Sequence, residues 1–151
     1  MRTAYRALAH VVAILVAIQA MAAVYAIAGL GKWVDDGGVL DKAAFESDDP
    51  FPEVVGFAVH AINGMMIIPL IALALLIVSF FARVAGGVRW AVIVLVLVVV
   101  QVALGLFGHD VPALGALHGL NALVLFSAAL QAGRNSRKPT SPAVESAAAA
   151  A

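Results

Sequence analysis

The fold is decided by stretches such as VVGFAVHAINGMMIIPLIALALLIVSFFA, residues Val54–Ala82, which contains no Asp, Glu, Lys or Arg. This run is longer than the roughly 20 helical residues that are needed to cross a bilayer. Three more runs also lack those charged residues: Ala7–Gly31, Trp90–Gly108 and Val111–Gly133. Because a backbone in lipid must satisfy its hydrogen bonds internally, each of the four runs is predicted to be a membrane-spanning helix.

The composition agrees with a protein whose main partner is the lipid bilayer. Apolar residues make up 64% of the chain and charged residues 12%, against about 45–50% and 25% in soluble domains. The sequence has no cysteine, which excludes disulfides, thiolate-held metal sites and covalent c-type haem. The net charge is zero and there is no basic patch, so nucleic acid is not an expected partner.

The distribution of charge predicts the orientation in the membrane. Threading four helices up-down-up-down brings most basic residues to one side: Arg2, Arg6, Arg83, Arg89, Arg134, Arg137 and Lys138. Only Lys32 and Lys42 fall on the opposite side, where most of the acidic residues collect. Basic residues favour the cytoplasmic side, so both termini are predicted to be cytoplasmic, in a cell (inner or plasma) membrane.

A short motif occurs twice in equivalent places. The segments His60–Asn63 (HAIN) and His118–Asn121 (HGLN) lie in the second and fourth runs, and each follows a glutamine of the preceding run, Gln19 or Gln101. Together with the topology, this repeat predicts an all-α, integral membrane four-helix bundle made of two pseudo-symmetric helical hairpins.

The paired histidines predict a cofactor. A histidine inside a membrane span is costly and commonly functional. His60 and His118 lie at equal depth, roughly 10 Å below the outer boundary, and two imidazoles can fill both axial positions of one haem iron. We expect one haem b per chain, held between them near the outer face. Hydrogen-bonded packing, a proton pathway or another metal remain alternatives.

The other predicted haem-binding residues share a helix face with the histidines or precede them: Gly56, Gly64, Gly115, Asn63, Asn121, Gln19 and Gln101. The glycines would leave room for a flat ring, since positions three and four apart share a face. The asparagines are expected to hydrogen-bond across helices or to the haem edge. The glutamines are expected to orient the imidazoles through their second nitrogens.

Two further histidines lie outside the pair. His109 falls in the predicted outer turn, where it is a solvated loop residue, a propionate or proton contact above the haem, or a ligand in a different haem state. His10 lies near the cytoplasmic end of the first helix, without a partner at its depth, and is predicted to be interfacial. Since no second pair occupies the inner half, the chain is expected to hold one haem and not to carry electrons across the membrane alone.

The predicted organisation is one domain and a tail. Residues 1–134 form the four-helix transmembrane haem-binding domain, and residues 135–151 form a disordered cytoplasmic tail. The first helix is expected to end near Gly31, and the loop that follows carries one short interfacial helix, Asp41–Glu46. Pro69 predicts a kink in the second helix.

The chain resembles one four-helix half of the haem A synthase family over roughly Ala7 to Arg134. The resembling segments are Phe57–Gly64, Gln101–Gly105 and Leu117–Ala122. The resemblance implies that the histidines of the second and fourth helices are haem ligands. It does not extend to that family's Glu-x-x-His-Arg motif, because Phe57 stands at the position of the glutamate, nor to its loop cysteines.

These observations lead to three functional hypotheses. The first is a membrane-bound b-type cytochrome for electron transfer or haem handling, with a redox partner complex or a second copy as its partner. The second is a haem-modifying enzyme resembling haem A synthase. The third is a haem-free accessory subunit of a membrane complex. Whether the chain is an enzyme is left open.

Overall fold

The computed structural model describes residues 1–47 and 50–136, and within them the regular structure is helical. The α-helices are α1 (Arg2–Asp35), α2 (Lys42–Glu46), α3 (Val55–Ile62), α4 (Ile68–Ser79), α5 (Gly87–Phe107) and α6 (Pro112–Asn135). A 3₁₀ turn, Pro52–Val54, precedes α3, and a π-helical segment, Asn63–Ile67, joins α3 to α4. We call the continuous helical stretch Pro52–Ser79 the second span.

Four described segments are long and apolar enough to cross a membrane: α1, the second span, α5 and α6. This confirms the predicted number of spans and the multi-pass membrane character of the chain. Many large apolar side chains point outward, such as Met21 (71% exposed) and Leu123 (66% exposed), as expected where the surrounding solvent is lipid.

The four spans pack as a ring. Helix α1 contacts α3 and α4 on one side and α6 on the other, and α5 contacts both α4 and α6. The apolar core fills the end of the bundle that holds the start of α1, with Val12, Leu75, Val94 and Leu125 nearly or fully buried. We call this the terminal end. There the hydroxyl of Tyr5 donates to the Gly87 carbonyl at 3.0 Å.

We call the opposite end of the bundle the loop end. There, Gly29 of α1 lies against the Glu53 side chain. Helix α1 extends four residues beyond its predicted end, because Lys32 and Asp36 form an i,i+4 ion pair outside the apolar run. Gly37 (φ +100°) and Gly38 then end the helix by donating to the carbonyls of Val34 and Trp33, a Schellman motif.

The short helix in the loop is α2, as predicted. Its first turn is capped by the Asp41 carboxylate, which accepts a hydrogen bond from the Ala44 amide at 2.9 Å. At the other terminus, α6 includes Asn135, and Ser136 is buried with its hydroxyl donating to the Gly133 carbonyl at 2.7 Å. The rest of the predicted tail, residues 137–151, lies outside the described residues.

Pro69 alters the second span through hydrogen bonding. A proline has no N–H, so the carbonyl four residues earlier loses its α-helical partner. Just before Pro69 the chain winds as a π-helix, in which the Ile68 amide donates to the Asn63 carbonyl five residues back. Such a segment accommodates one extra residue without ending the helix.

Gly56 permits the close approach of α1 and α3, which leads to a stability prediction. A Cβ at this position would lie 2.5 Å from the Ala22 carbonyl oxygen and 3.0 Å from the Ala26 Cβ. Gly56→Ala must therefore separate the two helices, and we expect the free energy of unfolding to fall by about 1–3 kcal/mol. The measurement is denaturant unfolding in one detergent.

Gly31→Ala is the matched control for this experiment. Nothing lies within 4 Å of a Cβ at Gly31, and alanine has the higher helix propensity, by up to about 1 kcal/mol. Equal stability of the two variants would show that the contact between α1 and α3 is not tight.

Candidate functional site

A cavity of about 760 Å³ lies toward the loop end of the bundle and is lined by all four spans. Its volume is in the range of small-molecule and cofactor sites. Four core residues, one from each span, border it on the side of the terminal end: Val16, Ile68, Val98 and Leu125. The bundle is therefore well packed at one end and hollow near the other.

The structure brings the two intramembrane histidines together across this cavity. The ring centres of His60 and His118 are 6.0 Å apart, and the ring planes are inclined by 52°. Two metal–nitrogen bonds of about 2 Å, with roughly 1 Å from each nitrogen to its ring centre, add up to about 6 Å. The spacing therefore suits two imidazoles on opposite sides of a single metal atom.

Both imidazoles are fixed in the same tautomer. His60 Nδ1–H donates to the backbone carbonyl of Gln19 at 3.1 Å, and His118 Nδ1–H donates to that of Gln101 at 2.9 Å. A carbonyl oxygen only accepts, so Nδ1 carries a proton, and in the neutral imidazole Nε2 is then the nitrogen with the lone pair. A neutral imidazole oriented through its other nitrogen is the form that ligates metals.

Gln19 and Gln101 contact the imidazoles through their backbone carbonyls and not through their side chains. The backbone carbonyls orient the imidazoles, whereas the side-chain Oε1 atoms of Gln19 and Gln101 accept from Asn63 Nδ2 (3.1 Å) and Asn121 Nδ2 (2.6 Å). The reason is close packing: a Cβ on Gly105 would lie 3.0 Å from His118 Cε1. The imidazole therefore rests on the α5 backbone, where the carbonyl is the acceptor within reach.

The asparagines connect the spans in pairs. Besides the glutamine, Asn63 Nδ2 donates to the Leu15 carbonyl at 3.1 Å, and Asn121 Nδ2 donates to the Leu97 carbonyl at 3.0 Å. Asn63 is 4% exposed, and its Oδ1 has no hydrogen-bond partner among the described residues. The same set of contacts thus joins α1 to the second span and α5 to α6.

The predicted glycines serve two purposes. Gly64 and Gly115 line the cavity, whereas Gly56 lies in the contact with α1. Sequence reasoning missed Gly105, which lines the cavity and seats the His118 ring. Its position four residues after Gln101, on the same helix face, was the available signal.

The two remaining histidines differ in position. His109 is exposed in the turn between α5 and α6 and lines the cavity. His10 lies outside the cavity: its Nδ1 donates to the Arg6 carbonyl at 2.6 Å, and its ring rests on Gly133 of α6. His10 therefore contacts a neighbouring helix, away from the His60–His118 pair.

Within residues 1–47 and 50–136, no three His, Cys, Asp or Glu side chains are grouped as a metal site. This finding concerns ions that take most of their ligands from the protein. A haem iron receives four nitrogens from its own porphyrin and needs at most two from the chain.

The asparagine bridges give a second stability prediction. Asn121→Leu removes the donor to Gln101 Oε1 and the Leu97 carbonyl. We expect the unfolding free energy to fall by about 1–3 kcal/mol, the cost of leaving polar groups without partners. Ser127→Ala is the control, since its hydroxyl bonds only within α6, to the Leu123 carbonyl. Similar losses for the two variants would mean that the bridge adds nothing.

A comparison with known protein families finds a match to part of the chain. The matching family is described as a family of unknown function (DUF6220), and its model covers residues 44–108. The matched segment contains His60, Asn63 and Gln101 and ends before His118. No curated protein and no solved structure matches the chain.

Proposed function

We propose that this chain is a membrane-bound b-type cytochrome that binds one haem between His60 and His118, for electron transfer or haem handling. The observation that carries this proposal is the histidine pair: two imidazoles with ring centres 6.0 Å apart, each held by a backbone carbonyl so that Nε2 is free. Packing alone does not require two neutral imidazoles to meet across a cavity.

The residues around the pair fit a haem. The cavity is lined by apolar and small residues, including Gly64, Gly105, Gly115 and Gly119, which leave space for a flat macrocycle. Bound haem would supply one-electron Fe(II)/Fe(III) chemistry, with axial ligands that set its potential. The chain supplies the ligand orientation and the apolar surroundings.

The repeated contacts support two pseudo-symmetric hairpins in an up-down-up-down bundle. A separation of 82 positions relates Gln19 to Gln101 and Leu15 to Leu97, the residues that accept from the histidines and asparagines. Those histidines and asparagines are in turn related by 58 positions. The two hairpins would then lie around an axis along the membrane normal, with the haem on that axis.

The π-helical segment fits this repeat. Beyond it, the separation between equivalent residues becomes 57 positions, as between the buried Ser79 and Ser136. Each serine hydroxyl donates to the carbonyl three residues earlier. The segment Asn63–Ile67 thus adds one residue to the second span, and the pairing resumes beyond it.

We place the termini on the cytoplasmic side of a cell membrane. The described arginines lie in or next to the helix ends at the terminal end, and the cavity lies toward the other end, so the haem would be near the outer face. One haem at this depth exchanges electrons with a partner at that face. The partner is then a larger redox complex or a second copy of this chain.

The deciding experiment is a reduced-minus-oxidised absorption spectrum of the purified protein, with a pyridine haemochrome of the extract. We expect sharp low-spin bands, about one haem per chain, and haem b. Absence of haem after expression with ample haem supply would favour the haem-free accessory subunit. A modified haem, or oxygen-dependent turnover of haem, would favour the haem-modifying enzyme.

A further inference from the structure

The two halves of the candidate site differ in how firmly they hold their histidines. The Gln101 side chain donates from Nε2 to the backbone carbonyl of His118 at 3.0 Å, which adds a second link between α5 and the histidine. Gln19 Nε2 donates no hydrogen bond to any described residue, although Gln19 lines the cavity. His118 is thus held by two links to its glutamine, and His60 by one.

The amide orientations behind this difference are fixed by their neighbours. The nitrogen of Asn63 must face the Leu15 carbonyl, which only accepts. The same nitrogen also contacts the Gln19 side chain, so the atom it meets there is Oε1. Gln19 Nε2 is therefore left with two N–H donors and no described acceptor.

The helix that carries His60 is also the less regular of the two. Its π-helical segment begins at Asn63, three residues after His60, and Asn63 Oδ1 is buried without a partner among the residues that the structure describes. By contrast, α6 is a continuous α-helix through His118 and Asn121. An irregular helix with an unsatisfied polar atom needs less energy to rearrange than a regular one, and π-segments recur at functional sites.

From this asymmetry we propose that His118 is the permanent haem ligand and His60 the exchangeable one, and that a small neutral diatomic ligand occupies the position His60 leaves. The proposal rests on haem binding as proposed above. In the exchange, the bond from His60 Nε2 to iron breaks and a bond from iron to the diatomic forms. No electron or proton is transferred.

Gln19 is the polar group suited to such a ligand. Its Nε2 lies against Gly64, which is four residues after His60 on the same helix face. An amide N–H beside the vacated position donates to the outer atom of a bound diatomic. On the opposite side, the matching amide of Gln101 is already bonded to His118.

The first test compares His60→Ala with His118→Ala, using carbon monoxide as the probe of the reduced, haem-loaded proteins. We expect His60→Ala to keep its haem, to show a five-coordinate spectrum and to bind carbon monoxide faster than the wild type. His118→Ala is expected to lose most of its haem. His10→Gln is the control, because His10 lies outside the cavity.

The second test keeps both histidines and so avoids variants that fail to fold. Gln101→Leu and Gln19→Leu each remove the acceptor for an asparagine, but only Gln101→Leu removes a donor to its histidine. We expect haem transfer to excess apoglobin to be roughly fivefold faster in Gln101→Leu than in Gln19→Leu, the factor that one net hydrogen bond supplies.

The outcomes separate this inference from the haem proposal itself. A wild-type protein without haem overturns the proposed function. A haem protein in which both alanine variants lose haem equally, or in which His118→Ala keeps it better, overturns the asymmetry alone. Equal transfer rates for the two leucine variants overturn it as well. A C–O stretching frequency in His60→Ala that is unaffected by adding Gln19→Leu removes the assigned role of Gln19.

Discussion

His60→Ala and His118→Ala are each expected to abolish the sharp low-spin bands of the haem-loaded protein. Six-coordinate low-spin iron needs strong ligands on both faces, and each variant removes one imidazole. Apart from the pair itself, the described cavity-lining side chains that can ligate haem iron are His109, in the turn between α5 and α6, and Met65. The wild-type bands should therefore be lost if the vacated position stays empty, and changed if the Met65 thioether takes it.

The measurement is the absorption spectrum of each variant, reduced and oxidised, at equal protein concentration. Addition of imidazole should restore the six-coordinate bands wherever haem is retained, which distinguishes a lost ligand from a misfolded bundle. His10→Gln should keep the wild-type spectrum. If either alanine variant keeps wild-type bands without added imidazole, that histidine is not an axial ligand.

Hydropathy alone was enough to predict the helical spans, because a continuous apolar run of this length leaves the backbone no other solution in lipid. The ends of the helices were harder to predict. Helix α1 continues to Asp35 because Lys32 and Asp36 stabilise one more turn, and the break comes only at Gly37, where φ is positive. A charged residue such as Lys32 therefore marks the end of the apolar run but not the end of the helix.

The candidate site was predictable as a set of residue types but not as a set of atoms. Two His-x-x-Asn motifs at equal depth indicated that His60 and His118 belong together. Which atom of Gln19 or Gln101 serves the histidine depends on how closely the helices approach each other, which glycines such as Gly105 control. Sequence spacing carries no information at that scale.

The extra residue of the second span was likewise only partly predictable. Pro69 indicated a disturbance, and a kink was the expected form. The structure winds Asn63–Ile67, just before the proline, as a π-helix, so the second span holds one more residue than α6 over the equivalent stretch. The π-helical segment lets contacts form on both sides of it: His60 and Asn63 reach α1, and Leu75 reaches the core.

Gly105→Leu is expected to prevent haem binding without unfolding the bundle. A Cβ on Gly105 lies 3.0 Å from His118 Cε1 and 3.1 Å from its Nδ1, so even the first added carbon presses on the imidazole. The rest of a leucine side chain would extend into the cavity that Gly105 lines. The ring can then no longer hold its bond to the Gln101 carbonyl and also direct Nε2 across the cavity.

The stability of this variant makes the experiment decisive. Overpacking in a filled core costs about 1–3 kcal/mol, but here most of the added side chain would enter existing free volume, so we expect a cost near the low end of that range. The haem-free bundle should therefore still fold, and unfold at a denaturant concentration only slightly below that of the wild type, while its haem content falls to near zero. Gly31→Leu, at a site with nothing within 4 Å, should keep both. Normal haem content in Gly105→Leu would overturn the assignment of His118 as a haem ligand, because the leucine is expected to displace its ring.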